Sequence, residues 1–141
     1  MPARMTLSPA PAPALAPAPA RAGNGFWFRL LLTGGGLGPG KIALMRAVIA
    51  EGSVSGAARA LRMSHARSVK LVAQINALAP TPLIDTRTGG QAGGGALVTS
   101  LGLAVLDAYA AVDRDVRAAV EQPLAALVSL LEAASEPSQK R

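Results

Sequence analysis

The stretch from Gly52 to Asn76, Gly-Ser-Val-Ser-Gly-Ala-Ala-Arg-Ala-Leu-Arg-Met-Ser-His-Ala-Arg-Ser-Val-Lys-Leu-Val-Ala-Gln-Ile-Asn, lies inside a proline-free span from Lys41 to Ala79 and constrains the fold more than any other part of the chain. Ahead of it, Ile42, Leu44, Met45, Val48 and Ile49 form an apolar stripe near helical spacing, so a first helix is expected from Lys41 to Ala50, stopped by Glu51-Gly52. Ser53 or Ser55 can cap a short second helix, expected from Gly56 to Leu61, whose small Ala57 and Ala58 allow close packing. Arg62-Met63 leaves room only for a tight turn before Ser64 caps a third helix. In that helix Ser68, Val72, Ile75 and Ala79 follow i, i+4, i+7, i+11 and are expected to face inward, leaving His65, Ala66, Arg67, Lys70 and Gln74 outward. Two helices joined by a tight turn, the second with a basic outer face, read as a helix-turn-helix, and that arrangement points to DNA.

On either side of this unit the punctuation changes. Residues 1–25 hold six prolines and eight alanines, and five of those prolines fall between Pro9 and Pro19. Such a leader cannot sustain a helix or bury a core and is expected to be disordered; the prolines also break the continuous apolar run that a signal peptide needs. Phe26 to Thr33 reads as a strand and Gly34 to Gly40 as a loop into the first helix. After Pro80 and Pro82, Leu83 to Arg87 and Ala96 to Val98 read as two strands flanking Thr88-Gly-Gly-Gln-Ala-Gly-Gly-Gly95, a hairpin wing with a glycine-rich tip. Thr99 or Ser100 then caps a long helix in which Leu101, Val105, Ala108, Val112, Val116 and Ala119 form a stripe. An apolar stripe on a terminal helix calls for a partner, and dimerisation is the expected use. Pro123 is expected to interrupt this helix, with Leu124, Leu127, Val128 and Leu131 in a short further helix before a frayed tail.

The fold class expected from these elements is mainly α with a small β-hairpin wing: a winged helix-turn-helix with a long C-terminal dimerisation helix. The domain plan is a leader over 1–25, a DNA-binding domain over 26–99, dimerisation helices over 100–134 and a flexible tail over 135–141. With Phe26, Trp27, Phe28 and Tyr109 as the only aromatics, aliphatic side chains and alanine methyl groups must fill the core.

Charge is distributed in agreement with that reading. Lys41 to Arg87 holds seven basic and two acidic residues, whereas Thr88 to Arg141 holds four basic and six acidic, so positive potential belongs to the middle of the chain. His65 and Arg67 are the expected base readers, since arginine suits bidentate contact with guanine. Arg59, Arg62, Lys70 and Arg87 are expected on phosphates. Ser64, Ala66 and Gln74 lie at the same surface, and Ser64 marks a helix N-terminus with free amides and partial positive charge. Gly89, Gly90, Gly93, Gly94 and Gly95 let the wing backbone approach DNA beside Gln91.

The order helix, Gly52-Ser-x-Ser-x-Ala-Ala-Arg-Ala-Leu61, Met63-Ser64, third helix and Thr88-Gly-Gly-x-x-Gly-Gly-Gly-Ala96 resembles the N-terminal domain of molybdate-responsive transcription regulators. Leu37-Gly-Pro-Gly-Lys41 also looks like that family, and the likeness covers Phe26 to Val120. The glycine-rich wing sets it apart from the related LysR-type helix-turn-helix. The resemblance implies a dimeric winged domain whose third helix enters the major groove while the wing reaches the flanking backbone. It departs from the family in three places. Members continue into paired molybdate-binding domains, for which no residues remain after Arg141. Where members commonly follow Met-Ser with an aromatic, two basic residues, Ala and Trp, this chain has His65, Ala66, Arg67, Ser68 and Val69, implying a different operator. Where members carry Lys-Gly in the wing, this chain has Gln91 and Ala92.

Gly35-Gly-Leu-Gly-Pro-Gly-Lys41 fits G-x-x-x-x-G-K, yet Ile42 stands where magnesium needs Ser or Thr, and Pro39 removes a backbone donor. Nucleotide binding is therefore not expected. One histidine, no cysteine and eight scattered carboxylates give no acid/base pair, triad or metal cluster, so no catalysis, cofactor or metal is expected. The function expected is a sequence-specific transcription regulator binding double-stranded DNA as a homodimer, cytoplasmic and nucleoid-associated, with no membrane partner and a link to molybdenum metabolism implied by resemblance. The alternatives are a sensorless chain that forms mixed dimers with a full-length regulator and a nonspecific DNA-compacting protein.

Overall fold

The computed structural model describes residues 25–87 and 95–135. The elements in chain order are β1 (Leu30–Leu32), β2 (Gly35–Leu37), α1 (Pro39–Glu51), α2 (Val54–Ala60), α3 (His65–Asn76), β3 (Ile84–Thr86), β4 (Ala96–Val98) and α4 (Ser100–Ser135). Strands β1 and β2 form one antiparallel pair, Leu30 opposite Leu37, and β3 and β4 form a second, Ile84 opposite Val98.

The expected mainly α winged helix-turn-helix, with one small hairpin, is corrected by this architecture of four helices and two separate two-stranded sheets. The extra hairpin arises where a loop was expected. Gly35 sits at φ 137°, a conformation side chains disfavour, and it lets the chain reverse through Thr33 and Gly34 so that Gly35–Leu37 pairs with Leu30–Leu32. The strand expected from Phe26 to Thr33 shrinks to three residues because its aromatic start packs elsewhere. The Phe28 ring stacks on Tyr109 of α4 at 5.5 Å, the Phe26 ring on Phe28 at 6.4 Å, and the Arg117 guanidinium lies 5.2 Å from the centre of the Phe26 ring.

Helix α1 is the hub of the core. Pro39 suits its first turn, where its missing N–H has no intrahelical acceptor to lose. Ile42, Leu44, Met45 and Val48 are all but fully buried, and α1 packs on α2, α3, α4 and β4. It ends at Gly52, which takes a left-handed φ of 74° and donates its N–H to the Val48 carbonyl at 2.8 Å. The Gly52 carbonyl accepts from Ala96 N at 2.9 Å, fixing β4 to the end of α1.

Asn76, the last residue of α3, ties that helix to β3. Its Oδ1 accepts from Leu83 N at 3.0 Å and Ile84 N at 2.9 Å, and its Nδ2 donates to Ile84 O at 3.0 Å. Thr99 caps α4: its Oγ1 accepts from Gly102 N at 3.1 Å and donates to Pro82 O at 2.8 Å. Gly102 lets α4 approach closely, since a Cβ there would collide with the Leu83 carbonyl and the Val98 side chain.

One further expectation changes. Helix α4 continues through Pro123 as one 36-residue helix instead of breaking there. Proline removes one hydrogen bond, but Pro123 and Ala119, whose carbonyl loses its partner, are both exposed, on a side of the helix open to water. The face that α4 buries is Gly102, Leu106 and Tyr109. The stripe expected for dimerisation lies beside that face, with Leu101, Ala108, Val112 and Ala119 exposed and Val105 and Val116 half-buried. The leader expected over 1–25 falls outside the described residues except Gly25, as does the tail after Ser135.

Asn76→Ala removes three hydrogen bonds at once and strands two backbone N–H groups and a carbonyl. The expected cost is about 3 kcal/mol, read as a lower midpoint in urea unfolding with an unchanged slope. A loss under about 1 kcal/mol would mean that water replaces the amide without penalty.

Candidate functional site

The second and third helices place the basic surface. Ser53 caps α2, its Oγ accepting from Gly56 N at 2.9 Å, and Ala57 and Ala58 bury this short helix against α1. The chain then turns within three residues. Leu61 N donates to Ala57 O, Arg62 N to Arg59 O and Met63 N to Ala58 O. Arg62 holds φ 55°, the only non-glycine residue with positive φ among those described. Ser64 opens α3, its Oγ accepting from Arg67 N at 3.1 Å.

On α3, Ser68, Val72 and Ile75 are buried, as their spacing implied, and the Ser68 hydroxyl donates back to His65 O at 2.6 Å. Ala79 was expected on this face but lies beyond the helix end, half-buried. His65, Ala66, Arg67, Lys70 and Gln74 are exposed together on the opposite side, with Arg59 and Arg62 exposed on α2 and the turn. The sequence contains no acidic residue from Ser53 to Ile84. Among the described residues the only ion pair is Arg117 with Asp113 on α4 at 2.9 Å, which leaves Arg59, Arg62, Arg67 and Lys70 without an acidic neighbour in contact. Charge on this face is therefore uncompensated among the described residues. The α3 N-terminus adds the partial positive charge of its unbonded amides.

One polar contact was not legible from spacing: Ser55 Oγ lies 3.5 Å from His65 Nδ1, joining the start of α2 to the first residue of α3. Only the ten-residue separation across a tight turn brings the two together. Arg87 is exposed just after β3, its N–H donating to Gly95 O at 2.8 Å, so Arg87 and Gly95 mark the base of the second hairpin. Gly89, Gly90, Gln91, Gly93 and Gly94 lie outside the described residues. Among those described, no group of three or more His, Cys, Asp or Glu is gathered as a metal site would need, and no helix is long and apolar enough to cross a membrane.

No family model matches the chain. It is similar to the molybdenum-pterin-binding protein MopB of Rhodobacter capsulatus, 36% identical over 84 residues that make up 60% of this chain and 31% of that protein. It is also similar to the molybdenum transport protein ModE of Azotobacter vinelandii, 30% identical over 90 residues, 64% of this chain and 33% of that protein. A third relative is the molybdenum-pterin-binding protein MopA of R. capsulatus, 33% identical over 73 residues, 52% of this chain and 28% of that protein. The matches thus span about a third of the length of these relatives.

What the three share is molybdenum, and the expected link to molybdenum metabolism holds at that level. The finer identification is corrected. The chain was expected to be the winged DNA-binding domain of molybdate-responsive transcription regulators, related to LysR-type domains, whereas the relatives are described by molybdenum-pterin binding and molybdenum transport. Glycine spacing and capped helices recur wherever short helices meet tightly, so they do not carry a family assignment of that detail.

Arg62 offers a test of the turn. A left-handed arginine costs roughly 1 kcal/mol over glycine, so Arg62→Gly is expected to raise folding stability by up to about 1 kcal/mol in chemical denaturation. A drop instead would show that the arginine side chain contributes packing to the turn that outweighs its backbone conformation.

Proposed function

We propose that this chain binds double-stranded DNA through the exposed face of α3 and acts as a regulator in molybdenum metabolism. The observation that carries the reading is the capped N-terminus of α3 with Arg67 and Lys70 exposed on one side and no acidic residue to neutralise them. Lys and Arg clustered on one face of a helix, anchored from behind by buried residues, supply both the electrostatic attraction to phosphate and a rigid mount for side chains that read base edges. Ser68, Val72 and Ile75 provide that anchor. His65 and Arg67 are assigned to bases, and Arg59, Arg62, Lys70 and Arg87 to phosphates. Ser64, Ala66 and Gln74 border the same face, and Gly89, Gly90, Gln91 and Gly93 to Gly95, of which only Gly95 is among the described residues, are assigned to backbone approach.

The role is binding without catalysis, by a nucleoid-associated protein that works as a homodimer. Helix α4 supports the dimer, because its C-terminal half exposes Leu127, Leu130 and Leu131, which nothing in the described chain covers. The same residues support the second reading, a mixed dimer with a larger regulator.

Arg67→Ala with Lys70→Ala is expected to weaken binding to a selected duplex at least tenfold in gel-shift titration, with helicity and oligomeric state unchanged. Unaltered affinity would remove α3 from the interface. For a specific regulator the parent chain should prefer its selected site to scrambled DNA by about a thousandfold or more. Equal affinity for both, with steep salt dependence, would favour DNA compaction, and tight binding only after addition of a larger partner would favour the mixed dimer.

A further inference from the structure

The outward side of α3 carries one side chain that neither the fold nor the charge reading uses. Of the apolar residues in α3 larger than alanine, Val72 and Ile75 are buried and Leu71 is half-buried against the core. Val69 is 49% exposed. A solvated helix face is ordinarily polar, and a β-branched residue there gives up helix propensity without burial in return. Ala66 and Ala73, also exposed, stand at i−3 and i+4 from Val69, so the three form a narrow apolar strip along the helix.

The setting of the strip limits what can cover it. His65 lies one turn before Val69, Lys70 follows it, and no acidic residue occurs from Ser53 to Ile84. A strip one side chain wide offers far less than the roughly 800 Å² that each partner contributes to a stable protein interface. Its cationic border suits a polyanion, and its width suits an apolar group the size of a methyl. The major groove of DNA presents such a group among polar base edges, the 5-methyl of thymine, which small apolar side chains contact. The strip is also held in one place. Ser64 caps the start of α3, the Ser68 hydroxyl bonds back to His65 O, and Asn76 ties the far end to Leu83 and Ile84. A helical valine has essentially one χ1 well, so its methyl groups keep one direction and lose little freedom on contact.

We propose that Val69, with Ala66 beside it, contacts the 5-methyl group of a thymine and makes the DNA site thymine-bearing at the position this part of α3 faces. The inference rests on the DNA reading above and extends it from charge to base identity. Arg67 suits guanine through hydrogen bonds, and Val69 adds thymine through apolar contact.

The test compares a duplex selected by the parent chain with copies in which one thymine at a time is replaced by uracil, which removes the methyl and keeps the base pair. Gel-shift titration is expected to show a loss of about fourfold at one thymine of each half-site, the worth of one buried methyl group. In Val69→Ala the affinity for the thymine duplex is expected to fall by a similar factor, and the same uracil is expected to cost nothing further. Val69 is exposed and alanine favours helix, so the variant is expected to keep the parent's circular dichroism. Equal binding of every uracil copy by the parent chain would overturn the proposal while leaving the DNA reading intact, as would a selected site without thymine or an undiminished uracil effect in Val69→Ala. Failure to bind any duplex would overturn both. Loss of self-association in Val69→Ala, with the thymine-to-uracil difference unchanged, would assign the strip to a protein contact instead.

Discussion

Burial of α1 is the constraint on which the other elements depend. A chain with four aromatics must build its core from aliphatic contacts, and Ile42, Leu44, Met45 and Val48 supply its centre from a single helix of 13 residues. Each neighbour meets part of this surface: α2, α3, α4 and β4 all pack on it. At Gly52 the same helix hands the chain to α2 and holds Ala96 by one hydrogen bond. The position of the basic α3 face relative to the second hairpin is thereby set by a helix that presents none of the proposed DNA contacts.

Around this hub, polar side chains close the gaps that short elements leave. Strands of three residues make few ladder bonds, and helix α2 has only seven residues, so caps and cross-links matter more than propensity. Ser53, Ser64 and Thr99 cap three helices, while Asn76 stands in for a neighbouring strand beside Leu83 and Ile84. Small residues permit the close approaches, with Gly102 seating α4 on the second hairpin and Gly34 seating the first hairpin on the end of α3.

The helices were legible in the sequence because their signals are local. The cap at Ser64, a cap at Ser53 or Ser55, the stop at Gly52 and the buried positions Ser68, Val72 and Ile75 follow from hydrogen-bonding chemistry and helical period alone, and the structure selects Ser53. The first hairpin was not, since Gly34 to Gly40 has loop composition and its pairing depends on where Leu37 is buried. Nor was the aromatic run from Phe26 to Phe28, whose alternation with Trp27 suits a strand but whose rings are taken up by Tyr109 and Arg117, far along the chain. Pro123 signalled a break that an exposed helix tolerates. Within the candidate site the exposed cations were readable from spacing, whereas the meeting of Ser55 with His65 required the folded turn. Motif order carried the link to molybdenum correctly and overreached when extended to one kind of regulator domain.

The central claim is that the outward face of α3 is a DNA-binding surface. The most direct measurement is a map of backbone amide chemical shifts as a short duplex is added at near-physiological salt. The account predicts the largest changes from Ser64 to Lys70 and at Arg59 and Arg62, with Lys41 and the C-terminal half of α4 unaffected. Changes confined to α4 or to the β2–α1 junction, or none at any duplex concentration reached, would contradict it.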